Sequence, residues 1–132
     1  MSVFAVENRR FSNLVKKELW PENAYCRAVV TVNEATAKEY VVGTALGKVT
    51  ADGKYKISVV GATDGSQTVD AVVIAEVSVP ATTDTKVLVL IKGPAEVSEF
   101  GIVLDASYDL QAEKDAAYAA LEAKGINVLK AV

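Results

Sequence analysis

The stretch GTALGKVTADGKYKISVVGATDGSQT, residues 43–68, decides the fold class. Two short apolar runs, Thr44 to Thr50 and Tyr55 to Val60, flank the pair Asp52-Gly53. Asp-Gly between such runs is a strong hairpin signal, because both residues tolerate the positive φ of a tight strand-to-strand turn. Gly61 to Thr68 is a second turn-rich segment with its own Asp-Gly pair, Asp64-Gly65. On the other side, Gly43 breaks the apolar run Tyr40 to Val42.

Reading outward, strand signals continue in both directions. Towards the N-terminus, Cys26 to Val32 is β-rich, and the polar Asn33 to Glu39 reads as a loop. Towards the C-terminus, Val69 to Val79 reads as one strand and Pro80 to Thr85 as a loop. Val87 to Ile91 is apolar throughout, which predicts a central strand buried on both faces. Gly93-Pro94 punctuates it before a short strand at Ala95 to Val97. One helix is expected, over Leu110 to Lys124, with Asp109 as N-cap and Gly125 as the glycine just past the end. Leu110, Ala117 and Leu121 mark its modest apolar face, and Ile126 and Val128 suggest a last strand. The fold class is therefore mainly β with one C-terminal helix.

Composition agrees. The chain has 132 residues, 51% hydrophobic and 23% charged, enough for one compact domain. Aromatics are 7%, so the core is built mainly from Val, Ala, Leu and Ile. The mean hydropathy of +0.23 implies buried strands or an interface with another protein. Net charge is −3 and no basic stripe is present, so nucleic-acid binding is not expected. The densest basic cluster, Arg9, Arg10, Lys16 and Lys17, is interleaved with Glu7, Glu18 and Glu22 and reads as a solvated mixed-charge segment. Charged residues interrupt every apolar run short of the ~20 residues a spanning helix needs, so no membrane partner is expected. Arg9 and Arg10 arrive before any apolar stretch of a signal peptide forms. The single cysteine, Cys26, excludes an intrachain disulfide and reads as a small buried apolar residue.

The inventory for chemistry is poor. The chain has no histidine, the main player in acid–base, nucleophile-activating and zinc constellations. It contains no C-x-x-C, dinucleotide-binding glycine motif or Walker A loop. Asp105, Ser107 and Asp109 have the opening spacing of a calcium loop, but Leu110 and Ala116 occupy the positions that need glycine and glutamate. Capping of the following helix explains those oxygens better. Glu96 and Glu99 form a potential carboxylate pair with nothing to mark it as catalytic. No catalytic residue, metal or cofactor is expected, and the reading is not an enzyme.

Residues 1–24 differ from the rest. They carry Val3, Phe4, Val6, Phe11, Leu14, Val15, Leu19 and Trp20 among charges, and the spacing of Phe11, Leu14, Val15 and Glu18 allows a short helix or turn around Ser12 to Leu19. The segment reads as an arm, apolar enough to dock and too weakly patterned to fold alone. Packing on its own domain is the alternative. Trp20 is the residue most like an interface anchor. The domain proper is expected over residues 25–132.

Several pieces together resemble the head decoration protein family of tailed phages, the phage lambda decoration protein D-like family. Family members carry a G-T-V-L-G-K-V-T stretch, a T-G-K-Y turn and a D-G-S-Q-T loop, similar to Gly43 to Thr50, Asp52 to Tyr55 and Asp64 to Thr68. VLVLIKGPAEV at Val87 to Val97, the alanine-rich helix with its exit at Gln111 to Val128, and YCRAVVTV at Tyr25 to Val32 also resemble family features. The resemblance implies a β-clip (β-tulip) domain with an extended N-terminal arm. It implies a homotrimer on the outer surface of the expanded head, at three-fold sites of the virion, bound to the major capsid protein through an N-terminal arm and stabilising the shell; the eight apolar arm residues named above are the candidate capsid-binding residues. It also implies synthesis in the host cytoplasm. Residues 1–23 are longer and more apolar than in typical members. Two rival readings are a trimeric clip-fold nucleotide hydrolase resembling dUTPase, whose nucleotide motif has no match here, and a tail or fibre accessory module.

Overall fold

A computed structural model describes residues 14–18 and 26–129. Among the described residues, ten strands and one α-helix form three connected parts. The first is a closed five-stranded barrel in the order β2-β5-β4-β6-β8, made of β2 (Arg27–Val32), β4 (Ala45–Lys48), β5 (Tyr55–Ile57), β6 (Val69–Val73) and β8 (Thr85–Leu90). All its pairings are antiparallel except the parallel seam of β2 and β5, registered at Val32 and Tyr55. The second is a three-stranded sheet in which β9 (Ala95–Ser98) lies between β1 (Val15–Glu18), antiparallel, and β10 (Ile126–Leu129), parallel. The third is an antiparallel ribbon of β3 (Lys38–Tyr40) and β7 (Val77–Val79). Helix α1 (Gln111–Ala123) is the crossover between β9 and β10 that a parallel pair demands.

The strand alternation serves two cores at once. Val32, Tyr40, Leu46, Tyr55, Ala71, Val73, Val79, Val87 and Val89 fill the barrel. A second cluster lies between the barrel wall, the three-stranded sheet and α1, including Leu14, Cys26, Val69, Val72, Leu90, Val97, Leu121 and Ile126. Successive residues of β6 point to opposite cores: Ala71 and Val73 inward, Val72 outward. β8 does the same with Val89 and Leu90, so the central strand buried on both faces is found where the apolar run predicts it. Each valine or leucine among them contributes about 1.5–3 kcal/mol on removal from water, before entropy is charged against it.

The Asp52-Gly53 hairpin joins β4 to β5, with Gly53 at φ 72° and Lys54 N donating to Asp52 Oδ1 at 2.9 Å. Gly125 ends α1 at φ 85°, as its position predicts. Three expectations are corrected. The run Val69 to Val79 is two strands: Ile74 N still donates to Leu88 O, after which the chain leaves the barrel and β7 pairs with β3. The helix N-cap is Leu110, not Asp109; Glu113 Oε1 reaches back to accept from Leu110 N at 3.2 Å, which satisfies the helix start from inside. Val15 to Glu18 is extended and paired with β9, where helical spacing suggested a helix or turn. Cross-strand pairing outweighed local propensity there.

Candidate functional site

The motif loops are built as structural joints. Asp64 Oδ1 accepts from Ser66 N at 3.0 Å and Ser66 Oγ at 2.6 Å, and Lys56 Nζ lies 2.8 Å from Asp64 Oδ2. The Lys56 ammonium and the Ser66 donors hold the Asp64 carboxyl well below the usual carboxylate range. Thr50 N donates to Asp64 O at 2.9 Å, tying the second turn back to the first hairpin. Gly47 lies against this loop so closely that a Cβ there would fall 2.0 Å from Ser66 O. At Gly43, with φ 102°, a Cβ would fall 1.8 Å from Gly101 O.

A buried polar network and a part-buried one brace the barrel. Glu34, 3% exposed, accepts from the Tyr40 hydroxyl and from Ile57 N, the latter at 2.7 Å, both on Oε2. Its backbone bridges Ala81, so one side chain ties the β3–β7 ribbon to β5. Burial, with Glu34 beside it, raises the Tyr40 hydroxyl far above the ordinary tyrosine range. Nearby, Tyr55 Oη donates to Asp70 Oδ2 at 2.8 Å, and Lys124 Nζ reaches Asp70 Oδ1 at 3.1 Å from the end of α1. Burial and then Asp70 raise Tyr55 in the same way. A third network lies outside, where Asn33 Nδ2 and Lys54 Nζ converge on Asp84 at 2.8 and 3.0 Å and hold its carboxyl low.

These residues support shape, their polar groups being engaged with one another across the joints of the barrel. Cys26 is buried, with Sγ 3.4 Å from Pro94 O. Asp105 Oδ2 accepts from Ser107 N at 3.0 Å, and Ser107 Oγ accepts from Val60 N at 3.1 Å. Both oxygens thus brace turns, a correction to the helix-capping role the spacing suggested. Among the described residues no group of three His, Cys, Asp or Glu side chains is placed to hold a metal. The same residues contain no helix long and apolar enough to cross a membrane.

What remains is surface. Three large apolar side chains are exposed among the described residues: Val29 at 63%, Phe100 at 69% and Leu110 at 62%. None was singled out from the sequence as a contact residue, because exposure is decided by tertiary packing. Leu110 was expected on the apolar face of the helix; it precedes the first turn and points away. Of the arm residues, Leu14 and Val15 are buried in the domain's own second core, at 0% and 8% exposure, through the pairing of β1 with β9. Val3, Phe4, Val6, Phe11, Leu19 and Trp20 lie outside the described residues.

The sequence that builds this barrel, its docked sheet and its helix matches a known family over most of its length. The family model for bacteriophage lambda head decoration protein D matches residues 6–126. The chain belongs to this family. No individually curated protein matches the sequence. The head decoration family is a structural one, which gives this chain a role in the phage capsid and accords with the absence of histidine. The matched span begins before β1 and ends at the first residue of β10, so it takes in the barrel, β9 and α1.

Proposed function

We propose that this chain is a cement protein: a homotrimer that seats on the outside of the expanded phage head at three-fold sites, grips the major capsid protein and stabilises the shell. The family match over residues 6–126 carries this reading. The fold supports it, since the closed barrel with its attached ribbon suits a β-clip body and the exposed residues suit contact better than catalysis.

Three-fold closure gives each subunit the same heterologous interface and leaves no open end from which filaments grow. The arm of this proposal is the segment before Leu14, with Val3, Phe4, Val6 and Phe11; Leu19 and Trp20, in the connection between β1 and β2, are further contact candidates. An arm of this kind pairs with an exposed strand edge and gives up ordering entropy on docking, so a single arm binds weakly. Three arms on one rigid body convert the second and third contacts into intramolecular events, with avidity gains of ~10²–10⁴ where geometry allows. Bridging neighbouring capsomers in this way resists their separation under internal DNA pressure.

The test is direct. Light scattering on the purified chain gives a trimer, and adding the chain to expanded heads that lack it raises their resistance to heat or chelator. A monomer that leaves heads unchanged refutes the proposal.

A further inference from the structure

We infer that the end of the molecule carrying Phe100 and Leu110 is the face that seats against the protein shell, with Phe100 as its anchor; this rests on the cement reading above. Isolated exposed apolar residues are ordinary on protein surfaces. The observation here is that two of the three largest ones share an end of the fold with the departure point of the N-terminal segment.

The topology fixes that placement. β1 runs antiparallel to β9 with Val15 opposite Val97, so the chain before Leu14 leaves at the C-terminal end of β9. Phe100 sits in the 3-10 turn Glu99–Gly101 that immediately follows β9. α1 must return from that end to the start of β10, and Gly125 alone separates its C-cap Lys124 from Ile126, so its beginning at Leu110 and Gln111 points back to the same end. Tyr118, in the middle of α1, feels the carboxylate of Glu99: burial first, then Glu99 and Asp115, raise its hydroxyl.

Phe100 is also held firmly. Ser98 Oγ accepts from Phe100 N at 3.2 Å, Ile102 N donates to Glu99 O at 3.3 Å, and Val103 N donates to Gly43 O at 2.7 Å. A ring presented on a fixed turn loses little freedom on docking, and aromatic side chains of this kind dominate interface energies. The 13 residues before Leu14 span at most about 43–47 Å when fully extended. A contact made by that segment therefore lies within reach of this end, and a shell surface continuous with it covers Phe100 and Leu110. Val29, the third exposed residue, stands on β2 of the barrel and serves as the control.

The experiment uses the full chain and expanded heads of the parent phage prepared without it. Head binding is compared for the wild type, F100A, the double variant F100D with L110D, and V29D, with melting temperature and light-scattering mass measured for each. The expected result is binding at least tenfold weaker for the double variant, several-fold weaker for F100A, and unchanged for V29D, with fold and subunit count retained throughout. Full binding by the double variant overturns the inference while leaving the cement reading intact. Loss of the oligomer in that variant overturns it too, because the face is then a subunit interface. Loss of binding in V29D alone assigns the shell face to the barrel. A wild type that does not bind heads ends both readings.

Discussion

Gly47 on β4 packs against the backbone of Ser66 so closely that a methyl group at Gly47 would lie 2.0 Å from the Ser66 carbonyl oxygen. This joins two of the sequence motifs, one on the first hairpin and one in the second turn. The obstacle is backbone, which cannot swing aside as a long side chain can. Gly47→Ala should therefore destabilise the fold by about 1–3 kcal/mol, the range for an overpacked site. Gly61, around which no atom lies within 4 Å of an added Cβ, is the matched control and should tolerate alanine. Thermal melts of the two variants decide the point.

Glu34 is a buried acceptor for two donors on different elements, the Tyr40 hydroxyl of β3 and Ile57 N at the end of β5. Glu34→Ala leaves both donors without this partner, the Tyr40 hydroxyl in a buried site and Ile57 N in a part-buried one. The expected loss is about 1–3 kcal/mol for the buried Tyr40 hydroxyl left unsatisfied, with a smaller addition from the part-buried Ile57 N. Tyr40→Phe removes one donor and leaves Ile57 N in place, so it should cost less than Glu34→Ala. The reverse order in denaturant titrations would show that the ribbon is held by packing alone.

The tyrosines set a limit at high pH. Both Tyr40 and Tyr55 have hydroxyls raised above the ordinary value of about 10, chiefly by burial, with Glu34 and Asp70 as the respective acidic neighbours. Above that ordinary value the unfolded chain releases protons that the native chain retains. Stability is therefore complete below about pH 10 and falls as pH rises beyond it. Ultraviolet titration should show these two phenols ionising only as the fold is lost. Tyr55→Phe should flatten the alkaline decline.

At low pH the sign reverses. Asp64 and Asp84 have carboxyls held below the usual range, the first by Lys56 and Ser66, the second by Asn33 and Lys54. Their contribution is present above the unfolded value of about 4 and is lost as pH falls below it. Both pairs are on the surface, so the effect is small and screened by salt. Asp64→Asn should lower stability at pH 7 and reduce its dependence on pH below about 4; an unchanged acid profile would remove Asp64 from the account.

What was legible in the sequence was local. Asp52-Gly53, the apolar run at Val87 to Ile91 and the glycine after α1 each declare themselves within a few residues, and the structure has them where they are expected. What was not legible depended on distant partners. Nothing in Val69 to Val79 says that the chain exchanges β8 for β3 after Ile74. Nothing in Leu14 and Val15 says that β9, some eighty residues on, buries them. Phe100 was passed over for the same reason, since its exposure follows from where β9 ends.

That last partnership divides the N-terminal segment in two, and truncation separates the halves. Leu14 is fully buried, and loss of a buried leucine side chain costs about 2–5 kcal/mol. Removing residues 1–18 also deletes β1 and leaves the edge of β9 unpaired. That truncation should melt well below the full chain, and Leu14→Ala should lose part of the same stability. Removing only residues 1–13 spares both Leu14 and β1, so the melting temperature and oligomer mass should stay close to those of the full chain while head binding falls. Should the 1–13 truncation lose stability to the same degree as 1–18, the first thirteen residues belong to the folded body, and shell contact must come from the domain surface alone.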